Sequence, residues 1–181
     1  MRKFAIFCLI ILVATVIASI YGVGHDQVTY SISPEYYTKF KFIQFNLADS
    51  AAAQHMTQPR SAVVMTGVKA TWWIGVLIGV VLGLVAFIFP DADSMFSSVL
   101  QALGLVLLVV IIAGVAGGLY GHYVLAGKGV GWWMPGNLKD RTAYITVGTI
   151  HNFSYVGGMV GLLAGIVFLV LRKRLIFKRG R

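Results

Sequence analysis

One pattern occurs twice in this chain, and it limits the fold more than any other feature. Arg60-Ser-Ala-Val-Val-Met-Thr-Gly67 reads again as Arg141-Thr-Ala-Tyr-Ile-Thr-Val-Gly148. One residue of slippage later, Gly75, Gly79 and Gly83 face Gly157, Gly161 and Gly165. Upstream, Ala14–Gly22 matches Ala113–Gly121, and both segments end in Tyr-Gly. A repeat of this kind predicts two copies of one unit, each a helix, an outer loop and a second helix. Each glycine stripe repeats at helical spacing and lets a neighbouring helix approach closely.

Composition sets the solvent. Hydrophobic residues make up 58% of the 181 residues and charged residues 12%, about half the ~25% usual in soluble domains. The unit is therefore a pair of membrane-spanning helices, and the expected fold is an all-α membrane protein with four transmembrane helices in two hairpins. The first hairpin takes residues 1–89 with a long outer loop at 24–59. The second takes 90–181, with a short outer loop at 126–140 and a basic tail at 172–181. Phe4–Gly22 is long enough to cross ~30 Å of hydrocarbon. Val16-Ile-Ala18 would pass as a signal-peptide cleavage site, but the match to Ala113–Gly121 argues that the segment stays as the first helix. The second helix is expected to run from Thr57 or Arg60 to Phe89. The third runs from about Met95 to Leu125, and the fourth from Asp140 or Arg141 to near Leu171.

The first outer loop mixes signals. Val28, Tyr30 and Ile32 alternate with polar residues, a strand period. Ser33-Pro34-Glu35 ends that strand and equally starts a helix, with Ser at the N-cap and Pro in the first turn. A short hairpin and a short interfacial helix both fit the segment after it. Tyr36, Phe42, Trp72, Trp73, Trp132 and Trp133 suit the headgroup layer, where aromatic side chains anchor. Here the wording His-Asp-Gln, Ser-Pro-Glu-Tyr-Tyr and Phe-Lys-Phe, across His25–Phe45, resembles an uncharacterised family of small bacterial four-helix inner-membrane proteins. The resemblance implies a fold and no activity.

The net charge of +9 raises nucleic acid or a membrane surface as partners. No nucleic-acid motif accompanies it, and the densest basic cluster directly follows an apolar helix, which points to lipid. Eight Lys and Arg lie near the termini, seven lie in the two long loops or the adjoining helix starts, and the 90–94 turn has none. Positive charge concentrates on the cytoplasmic side, so both termini are expected in the cytoplasm of a bacterial inner membrane.

Candidate chemistry gathers on the outer side. His25, Asp26, His122, His151 and Asn152 fall near the outer ends of helices, whereas His55 lies in a polar loop. Ionisable groups inside membrane helices are costly and mark sites of function. Imidazole and carboxylate suit a metal ion, and opposed histidines on bundle helices also suit haem iron. A structural polar cluster or proton handling fits the same residues. The lone Cys8 allows no intrachain disulfide, and no nucleophile elbow, phosphate loop, dinucleotide fingerprint or zinc-protease motif occurs. The reading that follows is a non-catalytic accessory or binding subunit, in contact with a membrane-protein partner or a second copy. The alternative is a metal- or haem-binding protein or a small transporter. Cysteines placed at Ser50 and Asn137 are expected to react with an impermeant maleimide on intact cells; labelling of both only after lysis would reverse the topology.

Overall fold

A computed structural model describes residues 1–179; Gly180 and Arg181 of the basic tail lie outside the described residues. Every regular element among them is helical. Four helices are long and apolar enough to cross a membrane: α1 (Arg2–Ile32), α2 (Pro59–Val85), α3 (Ala92–Tyr120) and α4 (Arg141–Arg179). A short 3₁₀ turn at Ala86–Ile88 joins α2 to the tight turn before α3. Asp91 caps α3 by accepting the Ser94 amide at 2.8 Å, as its place before an apolar run leads one to expect.

α1 departs from the expected layout. It does not stop at Gly22, and Val28–Ile32 is not a strand: the helix runs on to Ile32. An alternation of only three apolar positions is too short to tell a strand from a helix, and nothing between Gly24 and Ser33 breaks the turn. The Thr29 hydroxyl donates to the His25 carbonyl and Ser31 to that of Gln27, each one turn back. Arg60, at the start of α2, donates to the Gln27 and Ser31 side chains and lies over the Tyr30 ring. The helix ends where Ser33 becomes the N-cap of the next segment, its Oγ accepting from the Tyr36 amide. Likewise, α4 continues eight residues past the expected stop at Leu171 to Arg179. Arg172 is held inside it by a 2.9 Å bond to Ser98 on α3.

The rest of the first loop folds back as a cap. Its helical turn Pro34–Tyr36 leads into one turn of π-helix, Tyr37–Lys41, and a further turn, Phe42–Gln44. Tyr37 and Phe42 are fully buried and Tyr36 nearly so, packed with Val63, Tyr144 and Val147. Tyr36 and Phe42 therefore sit under protein rather than in the headgroup layer, because the cap turns its aromatic face onto α2 and α4. Trp72, Trp73 and Trp133 stay at least half exposed.

Except at Gly165, which also meets Leu82 of α2, the glycine stripes are internal to each hairpin. A Cβ on Gly75 would lie 2.6 Å from Thr15 Cα, and one on Gly79 2.8 Å from Ile11 Cα, both on α1. A Cβ on Gly157 would meet Ala113 at 2.6 Å, and one on Gly161 would lie 3.1 Å from Val106 Cα, both on α3. Gly83 packs on Phe7, and Gly165 against Leu82 and Val106. Backbones this close leave no room for a side chain. Gly75→Leu and Gly157→Leu should each destabilise the protein in detergent by ~1–3 kcal/mol or more, the cost of overpacking. Gly104, with nothing within 4 Å of its Cβ position, should accept Ala with no loss and up to ~1 kcal/mol of gain in helix propensity. Equal melting of Gly75→Leu, Gly157→Leu and wild type would refute this packing.

Candidate functional site

The unbroken helix through Gly22 and Gly24 carries His25 and Asp26 into the protein, where α4 meets them. His25 Nδ1 lies 3.1 Å from Asp26 Oδ1, and His151 Nε2 lies 3.3 Å from the same oxygen. The two imidazoles touch edge to face with centroids 4.7 Å apart. Asp26 is 3% exposed and His151 4%. One ligating atom from each of the three residues falls within 4.8 Å of the other two.

Hydrogen-bond roles follow from the partners. His151 Nδ1 faces the Val147 carbonyl at 2.9 Å. A carbonyl only accepts, so Nδ1 carries the proton, and in a neutral ring Nε2 is then a lone pair. That lone pair points at a carboxylate oxygen, which is repulsive unless a positive species lies between them. His25 Nδ1 faces the same oxygen, and its Nε2 faces the Ser154 hydroxyl at 3.4 Å. The second oxygen of Asp26 is buried with no hydrogen-bond partner among the described residues, although buried carboxylate oxygens are normally satisfied. The site thus combines an orphan acceptor, a lone pair aimed at a carboxylate, and a second imidazole.

The cap closes the site from the loop side. Tyr36 stacks on the His151 ring with centroids 5.1 Å apart. Thr29 gives its one proton to a backbone carbonyl, so in the 2.6 Å contact between Thr29 and Tyr37 the tyrosine donates. Burial pushes both cap tyrosines above the ordinary phenol value, which keeps them neutral. Lys41 is 2% exposed, 3.5 Å from the Tyr155 hydroxyl and over the Phe45 ring. Its burial lowers its pKa, opposed by the Asp26 charge. Glu35 ties the cap to α4, accepting from Lys39 and from the Lys139 and Asp140 amides at 2.8 and 2.9 Å.

Of the residues singled out in the sequence, the fold brings together His25, Asp26 and His151. His122 is exposed beside Tyr123 on the π-helical turn that follows α3, Gly121–Leu125. Asn152 is exposed and lines a separate pocket of about 280 Å³ with Trp132, Trp133 and Tyr144. His55 is exposed in the loop. Ser154, Tyr37 and Lys41 were missed. Ser154 sits one helical turn beyond His151 on the same face, a spacing that could have found it; no local pattern marks Tyr37 or Lys41. Comparisons with protein-family models, curated proteins and solved structures return no match.

Glu35 gives the cap a pH dependence. Burial works to raise its pKa, but the bonds from Lys39 and from the Asp140 and Lys139 amides outweigh it and hold the carboxyl below its ordinary value. A depressed carboxylate stabilises the fold fully above the unfolded pKa and loses that contribution as pH falls through the folded one. Thermal melting in detergent should therefore fall in the acid range below the ordinary Glu pKa. Glu35→Gln should lose up to ~1 kcal/mol at neutral pH, the scale of a solvent-accessible ion pair, and should respond less to acid. Parallel pH profiles for the two proteins would show that Glu35 does not hold the cap.

Proposed function

We propose that this is an integral inner-membrane protein, both termini cytoplasmic, whose working part is a metal centre: His25, Asp26 and His151 bind one divalent transition-metal ion on the outer side. The observation that carries the reading is the His151 Nε2 lone pair aimed at Asp26. A ligating histidine characteristically gives its other ring N–H to a backbone carbonyl, which fixes the tautomer; His151 does so to Val147. Tetrahedral bonds of about 2.0–2.1 Å keep donors roughly 3.3 Å apart, close to the 3.1 and 3.3 Å between Asp26 Oδ1 and the two rings. Two imidazoles and a carboxylate suit zinc, iron or cobalt. Three protein donors leave a coordination position for an exogenous group, the pattern of sites that act on or exchange a ligand. Haem fits poorly, since rings in edge-to-face contact leave no slot for a porphyrin plane.

The accessory-subunit reading draws less support. The cap turns Tyr36, Tyr37 and Phe42 into the protein, and the glycine stripes are occupied within the chain. Neither offers a surface to a partner. The duplication is retained as part of the proposal. Gly75 packs beside Ala14 as Gly157 packs beside Ala113, the pairs that the sequence match predicts.

Purified wild type incubated with Co²⁺ or Zn²⁺ should bind one ion per chain. Asp26→Asn and His151→Gln should each weaken binding ~10–100-fold or more, the range seen even for supporting groups around a metal, while His122→Ala should bind as wild type. Retention of wild-type affinity by both site variants would remove the metal reading. In that event a proton between His151 and Asp26 is the remaining account, visible as an imidazolium by nitrogen NMR at neutral pH.

A further inference from the structure

Packing between the hairpins is looser than within them, and the gap is a cavity of about 510 Å³ bounded by all four long helices. That volume lies within the ~300–1,000 Å³ of small-molecule sites. Its inner wall is aliphatic, with Ile78, Leu103, Val106 and Leu162. Polar groups gather at one end only: Tyr21, His25, Asp26, His151, Ser154 and Tyr155. The cavity also reaches the outer surface of the bundle between α2 and α4. Trp73, Leu77, Tyr155 and Met159 line it and yet are 44–63% exposed on faces apolar enough to meet lipid. The cap closes the loop side, so the open route is lateral.

We infer that this cavity binds a membrane-dissolved amphiphile of the isoprenoid-quinone class, its ring beside Tyr21 and Ser154 and its tail along the aliphatic wall. An aliphatic chamber with one polar end selects an amphiphile rather than a bulk lipid tail. The polar end selects the head. Tyr21, Trp73, Tyr155 and the two imidazoles form aromatic walls, which favour a planar ring. Lys41 donates to the Tyr155 oxygen, leaving the Tyr155 hydroxyl proton free to reach a ring oxygen. The inference goes beyond the metal centre and does not need the ion.

Gly158 offers a clean test, because it lines the cavity and a Cβ there meets nothing within 4 Å. Decylubiquinone should bind purified wild type in detergent saturably, at one per chain by equilibrium dialysis. Gly158→Phe should weaken that binding at least ~10-fold, about 1.4 kcal/mol, with melting and metal content unchanged. Leu162→Trp fills the same chamber from deeper in α4 and should act alike if Gly158→Phe fails to fold. Binding that survives both substitutions would overturn the location. Displacement by equimolar decyl alcohol or decanoate would overturn the ring-headed ligand, since the cavity would then be reading the chain alone. Wild type that binds metal but no quinone defeats this inference alone; wild type that binds quinone but no metal defeats the metal centre alone.

Discussion

A carboxylate with 3% of its surface exposed, set in a helix long and apolar enough to cross a membrane, is the constraint around which the loop end of this protein is arranged. Leaving such a charge without partners costs several kcal/mol. Asp26 is instead flanked by two imidazoles, and both address the same oxygen. Each imidazole is held in turn: His151 by the Val147 carbonyl and the face of Tyr36, His25 by Ser154 and Tyr21. The cap then excludes water, which strengthens every interaction beneath it. A purely structural cluster would satisfy both oxygens of the carboxylate. In this one Oδ2 has no hydrogen-bond partner among the described residues, and the ion proposed above would balance the carboxylate's charge.

The second constraint is the uneven closeness of the helices. Within the hairpins, glycine brings backbones together: α1 onto α2 at Gly22, Gly67 and Gly75, and α3 onto α4 at Gly117, Gly157 and Gly161. Such contacts draw on dispersion and backbone approach, which remain favourable where lipid removes the hydrophobic drive. Across the hairpins the contacts are bulky aliphatic side chains around Leu82, Val99, Val106 and Leu169, and they fill only the end nearer the termini. Above that end the hairpins part around the cavity and meet again at Asp26 and His151 and under the cap. One packing rule therefore yields two rigid halves and a chamber between them, with the ionisable residues at its polar end.

This division explains what could be read from the sequence. Helix number and class were legible because long apolar runs in a chain with few charges leave helices as the economical way to satisfy the backbone. The glycine stripes were legible because their spacing is itself the packing device. The strand at Val28–Ile32 was misread because local alternation competed with a helix that Arg60 holds from another part of the chain. The site was half legible. His25, Asp26 and His151 stood out as ionisable groups at helix ends, but depth alone could not separate them from His122 and Asn152, which differ in helical phase. Asn152 neighbours His151 in the chain and faces another pocket. Lys41 and Tyr37 reach the site only through the fold of the cap, which no periodicity encodes.

The proposed duplication bears on why the site exists in one place only. Aligning Ala14 with Ala113 sets His25 and Asp26 opposite Val124 and Leu125, and the Arg60–Arg141 alignment sets His151 opposite Ala70. The second copy thus has apolar residues where the first has His25 and Asp26. It also lacks the cap, because its loop is shorter: 19 residues separate Gly121 from Arg141, against 37 between Gly22 and Arg60. Cap and buried carboxylate occur together in the first copy and are missing together in the second. The cap covers the carboxylate from the loop side and packs on α4 of the second copy through Tyr144 and Val147. On the proposed duplication, the surplus loop and the His25–Asp26 pair belong to the first copy, and they meet His151 of the second.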